Sequence, residues 1–100
     1  MDIYKVGESI DSFNYKQEQE NILDILEKGT DAVLDMSDCG YISSSGLRIL
    51  LYSKKVAASK GLNLYLVAVR PEVKEIMDVT GFDNFFDIFA TIEECMEKTK

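Results

Sequence analysis

Three consecutive serines, Ser43, Ser44 and Ser45, followed by Gly46, are the residues of this 100-residue chain best placed to do chemistry. A serine hydroxyl can attack a substrate, cap a helix or accept a phosphoryl group, and the rest of the composition separates these uses. The sequence has no histidine, which excludes Ser-His-Asp catalysis and histidine-based metal sites. A hydrolytic Ser44 would need Lys54 or Lys55 as its base, and both lie about three turns along the following helix, roughly 15 Å away by helical rise. Cys39 and Cys95 form no Cys-x-x-Cys pair and act as small hydrophobes in a reducing compartment. An aspartyl-phosphate receiver is equally ill supported: Asp35 sits near a strand end, but no acidic pair follows the first strand and no lysine closes the last. Capping and phosphorylation remain, and they are compatible.

The serines stand where one pattern gives way to another. Ala32-Val33-Leu34-Asp35-Met36 is a short apolar run of the kind that fills a sheet covered on both faces. Beyond the serines, Leu47, Leu50, Leu51, Ala57 and Ala58 recur at helical spacing. A helix start leaves backbone N–H groups unpaired and carries roughly half a positive charge, so a phosphate on Ser44 would meet a favourable field. Ser43 or Ser44 is the expected cap. Gly46 is expected to let another molecule approach the backbone closely.

The remaining elements follow from periodicity and punctuation. Strands are predicted near 2–6, 32–36, 62–67 and 85–89, and helices near 14–28, 44–59, 71–79 and 91–98. The first strand, Asp2 to Val6, alternates as an edge or antiparallel strand does. Ile22, Leu23, Ile25 and Leu26 form the buried stripe of the first helix, whose polar opening, Tyr15 to Glu20, suggests a solvated face. Gly29, Gly61 and Gly81 stop three helices, and Pro71 suits a first helical turn. Helices between strands imply right-handed crossovers, hence an α/β fold: one domain over residues 1–100 with a mixed, largely parallel four-stranded sheet and about four helices. On the second helix Ile49, Tyr52 and Val56 form a second apolar stripe, to be covered by a neighbouring helix or by a partner. Lys54 falls in the main stripe, where its stem can pack while its ammonium reaches water.

Charge narrows the partners. Eleven Lys and Arg against 18 Asp and Glu give a net charge of −7, which disfavours nucleic acid and anionic membranes and suits a basic protein surface. No apolar run approaches the roughly 20 residues of a membrane span, and the first residues lack the regions of a secretion signal. The expectation is a cytoplasmic protein with no membrane insertion.

Leu34-Asp35-Met36-Ser37 followed by Tyr41-Ile42-Ser43-Ser44-Ser45-Gly46-Leu47-Arg48 resembles the signature of the STAS domain of bacterial anti-sigma factor antagonists, with Ser43 where that signature usually has Asp. Gly61-Leu62-Asn63-Leu64, Arg70-Pro71-Glu72-Val73, Val79-Thr80-Gly81-Phe82 and Phe85-Phe86-Asp87-Ile88-Phe89 extend the resemblance over nearly the whole chain. It implies a non-enzymatic binding module that needs no cofactor. The unmodified form would hold an anti-sigma factor with serine kinase activity, phosphorylation on Ser44 (or alternatively Ser45) would break the contact, and a serine phosphatase would restore it. Ser43, Ser44, Ser45, Gly46, Arg48, Ile49 and Tyr52 would form the partner-binding surface. The alternative is a constitutive STAS scaffold or an accessory subunit of a transporter or signalling complex, with Ser44 only a cap.

Overall fold

A computed structural model describes residues 1–99. Four parallel strands, β1 (Asp2–Lys5), β3 (Ala32–Asp35), β5 (Leu64–Val67) and β6 (Asp87–Phe89), form a sheet in the order β1-β3-β5-β6. A second, two-stranded parallel sheet pairs β2 (Ser9–Ile10) with β4 (Tyr41–Ile42). The helices are α1 (Tyr15–Glu27), α2 (Ser44–Ser59), α3 (Pro71–Thr80) and α4 (Ile92–Lys98), with a 3-10 turn at Phe82–Phe85.

The strand order advances in one direction, and the period-2 alternation of the strands divides the core accordingly. Ala32, Leu34, Leu64 and Leu66 face Ile22 and Leu26 of α1, Leu47 and Leu50 of α2, and Val73 and Met77 of α3 in one buried cluster. Val33, Tyr65 and Val67 point to the other face, where Cys95 and Ile92 of α4 cover them. The central strands are therefore buried on both faces, as their unbroken apolar runs require. Gly61 and Gly81 adopt φ of 71° and 78° just past α2 and α3, a left-handed turn that ends each helix at little steric expense. Pro71 opens α3, where no N–H is missed.

Several elements differ from the sequence expectation. β1 is an edge strand but runs parallel to β3. The stretch expected as strand 85–89 begins instead as the 3-10 turn, whose Phe82 and Phe85 rings stack edge to face 6.2 Å apart, and only Asp87–Phe89 joins the sheet. The strand expected from 62 starts at Leu64. The opening of α1 is not simply solvated: Glu18 is buried, and one of its carboxylate oxygens accepts the Tyr4 hydroxyl at 3.0 Å. Lys54 is half-buried in the stripe, as expected, and its ammonium lies 3.7 Å from the exposed Asp87 carboxylate on β6. Among the described residues no helix is long and apolar enough to cross a membrane.

Candidate functional site

The loop that presents the serines is built by backbone hydrogen bonds. After β3, the Ser37 amide donates to Asp35 Oδ1 and the Cys39 amide to the Met36 carbonyl, both at 3.0 Å, which turns the chain sharply. Gly40 N then donates to the Glu8 carbonyl at 2.9 Å, β4 pairs with β2, and Ser43 N donates to the Ile10 carbonyl at 2.8 Å. The loop is thus stitched to the segment ahead of α1 before α2 begins. Cys39 is fully buried in this turn. Burial pushes its thiol up, and Sγ donates to the Tyr41 carbonyl at 3.3 Å, so it stays an unreactive packing group.

Ser43 is the cap. With extended backbone (φ −86°, ψ 174°) its Oγ accepts the Gly46 amide at 3.1 Å, and its carbonyl accepts the Leu47 amide at 2.9 Å as the first helical bond. Ser44 consequently occupies the first helical position. It is exposed, and among the described residues its hydroxyl makes no hydrogen bond to protein. Ser45 is half-buried. The first turn of α2 holds no acidic residue, so its positive end is not neutralised from within the helix.

Gly46 and Ile49, expected on the partner surface, are both buried. A Cβ on Gly46 would stand 2.7 Å from the Ile10 carbonyl oxygen, 2.7 Å from Ile42 Cγ1 and 2.9 Å from Ile10 Cγ2. The close approach served by this glycine is that of the protein's own β2, not of a partner. Ile49 belongs to the core cluster, and Val56 is partly buried against it, so no second apolar stripe faces outward. What α2 does expose at helical spacing is Ser44, Arg48, Tyr52 and Lys55, with Tyr52 51% exposed.

Two aromatic side chains near this face escaped the sequence reading. Tyr41 of β4 is 53% exposed and Phe13 is 96% exposed. Because β2 and β4 are parallel, the chain after Ile10 and the chain after Ile42 emerge at the same end, which puts Phe13 on the side of the serines. A local turn lifts it out: Asp11 Oδ1 accepts the Phe13 and Asn14 amides at 2.9 and 3.1 Å, and Asn14 Oδ1 accepts the Asp11 amide at 2.8 Å. The Ser9 hydroxyl and the Phe13 amide hold the Asp11 carboxyl below the usual carboxylate range. A Phe between Asp-Ser and Asn was the available signal, since turn residues on both sides argue against burial.

The arrangement defines a class: a loop-to-helix junction with a free hydroxyl at the positive end of a helix, on a parallel sheet. The chain belongs to the STAS domain family, whose model matches residues 2–95. A Bordetella bronchiseptica protein named as a candidate anti-sigma factor antagonist, BtrV, is 33% identical over 81 residues, 79% of this chain and 69% of that protein. Among solved structures, a candidate anti-sigma factor antagonist from Thermotoga maritima superposes with a TM-score of 0.83 at 25% identity, covering 96% of this chain and 86% of that one. The Bacillus cell fate determinant SpoIIAA in its phosphorylated form shares the fold, with a TM-score of 0.71 at 16% identity over 98% of this chain and 89% of that one.

Proposed function

We propose that this chain is an anti-sigma factor antagonist whose grip on its partner is released by a phosphate on Ser44. The observation that carries the proposal is the division of labour between adjacent serines: Ser43 caps α2, so the exposed hydroxyl of Ser44 can be modified without undoing the helix. The kinships support it, since relatives bear the name of anti-sigma factor antagonist and one protein of this fold has been solved phosphorylated. The unmodified face, with Ser44, Arg48 and Tyr52 flanked by Tyr41 and Phe13, docks on an anti-sigma factor that is itself a serine kinase and thereby frees a sigma factor. Ser43 and half-buried Ser45 frame this face, whereas Gly46 and Ile49 support it from below.

The kinase supplies ATP and magnesium. The Ser44 oxygen attacks the γ-phosphorus, the bond from that phosphorus to the bridging oxygen breaks, ADP leaves and the hydroxyl proton passes to a base of the kinase. The phosphate brings about 1.5 to 2 negative charges into an interface that had accommodated a neutral hydroxyl, and the partner dissociates through repulsion and desolvation. A serine phosphatase hydrolyses the ester and resets the module in the cytoplasm.

The test uses Ser44→Ala and Ser44→Asp titrated against the anti-sigma factor of the same host, with thermal melts alongside. Ala binds and resists phosphorylation. Asp stays folded, because a carboxylate suits a helix start, yet binds more weakly. Equal binding by Ser and Asp, together with a wild-type protein that kinase and ATP leave unmodified, overturns the proposal.

A further inference from the structure

The geometry points to a second half of the switch: Arg48 is the internal counter-ion of a phosphate on Ser44, so modification both adds negative charge and withdraws a cation from the docking face. The inference rests on the phosphorylation of Ser44 proposed above. Ser44 and Arg48 are both exposed and stand four residues apart on α2, the spacing at which helix side chains are neighbours. The order is the favourable one. Long helical side chains lean toward the N-terminus, a direction in which Arg48 can reach Ser44, and an anion placed ahead of a cation also matches the helix dipole. The planar guanidinium can meet a phosphate with two parallel N–H donors, which an ammonium cannot do.

Nothing on the helix competes. The α2 sequence, Ser44 to Ser59, contains no Asp or Glu, and among the described residues Arg48 takes part in no ion pair. Ser43, a neutral cap, sets no carboxylate beside the phosphate. Unmodified, Arg48 is therefore a free cation on an acidic protein, available to a partner's carboxylate or carbonyl. Once Ser44 carries phosphate, that same side chain is engaged within the chain itself. The partner loses a donor and gains an anion at one stroke.

Phosphoserine installed at position 44 during translation tests this without any kinase, and 31P NMR follows the second protonation of the phosphate, which occurs near pH 6. With Arg48→Gln the phosphate binds its proton about two-fold more tightly than in the wild-type background, the size expected of one helical ion pair. Arg48→Lys recovers part of that difference, Lys55→Gln leaves the titration unchanged, and molar salt shrinks the contrast. Identical titration of the wild-type and Arg48→Gln backgrounds overturns the inference. A natural protein whose Ser44 is never modified, read by mass spectrometry of the host's own material, overturns the phosphorylation proposal and this one together.

Discussion

Replacing Gly46 with alanine is expected to destabilise the protein, although helix propensity alone predicts the opposite. In an unencumbered helix the change would stabilise by up to about 1 kcal/mol, because alanine loses less backbone entropy. Here the added Cβ would sit 2.7 Å from the Ile10 carbonyl oxygen and from Ile42 Cγ1, against an ordinary contact of roughly 3.4 Å or more. That carbonyl cannot swing aside freely, since it accepts the Ser43 amide at 2.8 Å and belongs to the strand that holds β4. Relief needs α2 or β2 to move by about 0.7 Å at a fully packed place, and overpacking of this kind costs about 1 to 3 kcal/mol. With three contacts under 3.0 Å, one of them to backbone, the cost falls in the upper part of that range, about 2 to 3 kcal/mol, so subtracting a propensity gain of about 1 kcal/mol leaves a net loss of about 1 to 2 kcal/mol, or about 4 to 16 °C in Tm for a chain of this length. Gly46→Val adds two methyls at the same spot and should lose more. Urea titration and thermal melting of both variants provide the measurement. A Tm equal to or above wild type for Gly46→Ala would refute the reasoning and return Gly46 to the role the sequence suggested, a site of approach by something outside the chain.

Ser43→Ala should lose about 1 kcal/mol through the missing cap, while Ser44→Ala should leave the urea midpoint nearly unchanged; equal losses would contradict the assignment of the cap to Ser43. Ser53 is fully buried in α2 with no hydrogen-bond partner for its hydroxyl among the described residues, so Ser53→Ala should raise stability by about 1 kcal/mol, and a lowered Tm would argue against this. Burial holds the Glu18 carboxyl above the usual range, partly offset by the Tyr4 hydroxyl, so the folded state keeps a proton that the unfolded chain releases. Glu18 therefore removes stability as pH rises above about 4.3, the unfolded value, and the Tm of Glu18→Gln relative to wild type should climb as pH is raised from there through the elevated folded-state pKa; a difference independent of pH would count against it.

What was legible in the sequence depended on how many residues carried each signal. The helices α1, α2 and α3 announced themselves through repeated apolar spacing and a glycine or proline at their ends, and the central strands through unbroken apolar runs. Strands β2 and β4 have two residues each, too few to display an alternation, and they are strands only because each finds the other. The burial of Glu18 depends on Tyr4, fourteen positions away on another element, and no local pattern reports such a pairing. At the serine loop, residue types showed that a cap and an exposed hydroxyl would lie close together. Which serine took which part followed from the extended backbone at Ser43, which spacing does not reveal. Ile49 looked outward on a straight helical wheel, yet it lies in the main core cluster, so α2 is buried over a wider arc than its principal stripe.

The ladder between β2 and β4 decides how the serine loop can be recognised. Ser9 pairs with Tyr41, 32 positions further on, and Ile10 and Ile42 are essentially inaccessible to water. Releasing the loop would expose both isoleucines and break the bond from Ser43 to Ile10, so its amides should exchange with deuterium on the slow timescale of the core and not on that of a surface loop. On the proposed phosphorylation of Ser44, the modifying enzyme would accordingly meet a preassembled shape made of two distant stretches of chain. A synthetic peptide copying residues 38–51 would carry Ser43, Ser44 and Ser45 and none of that shape, lacking the helix, its cap geometry and the Phe13 turn beside it. On that proposal the recognised object is a conformation, and its loss on unfolding would make modification a report that the protein is intact.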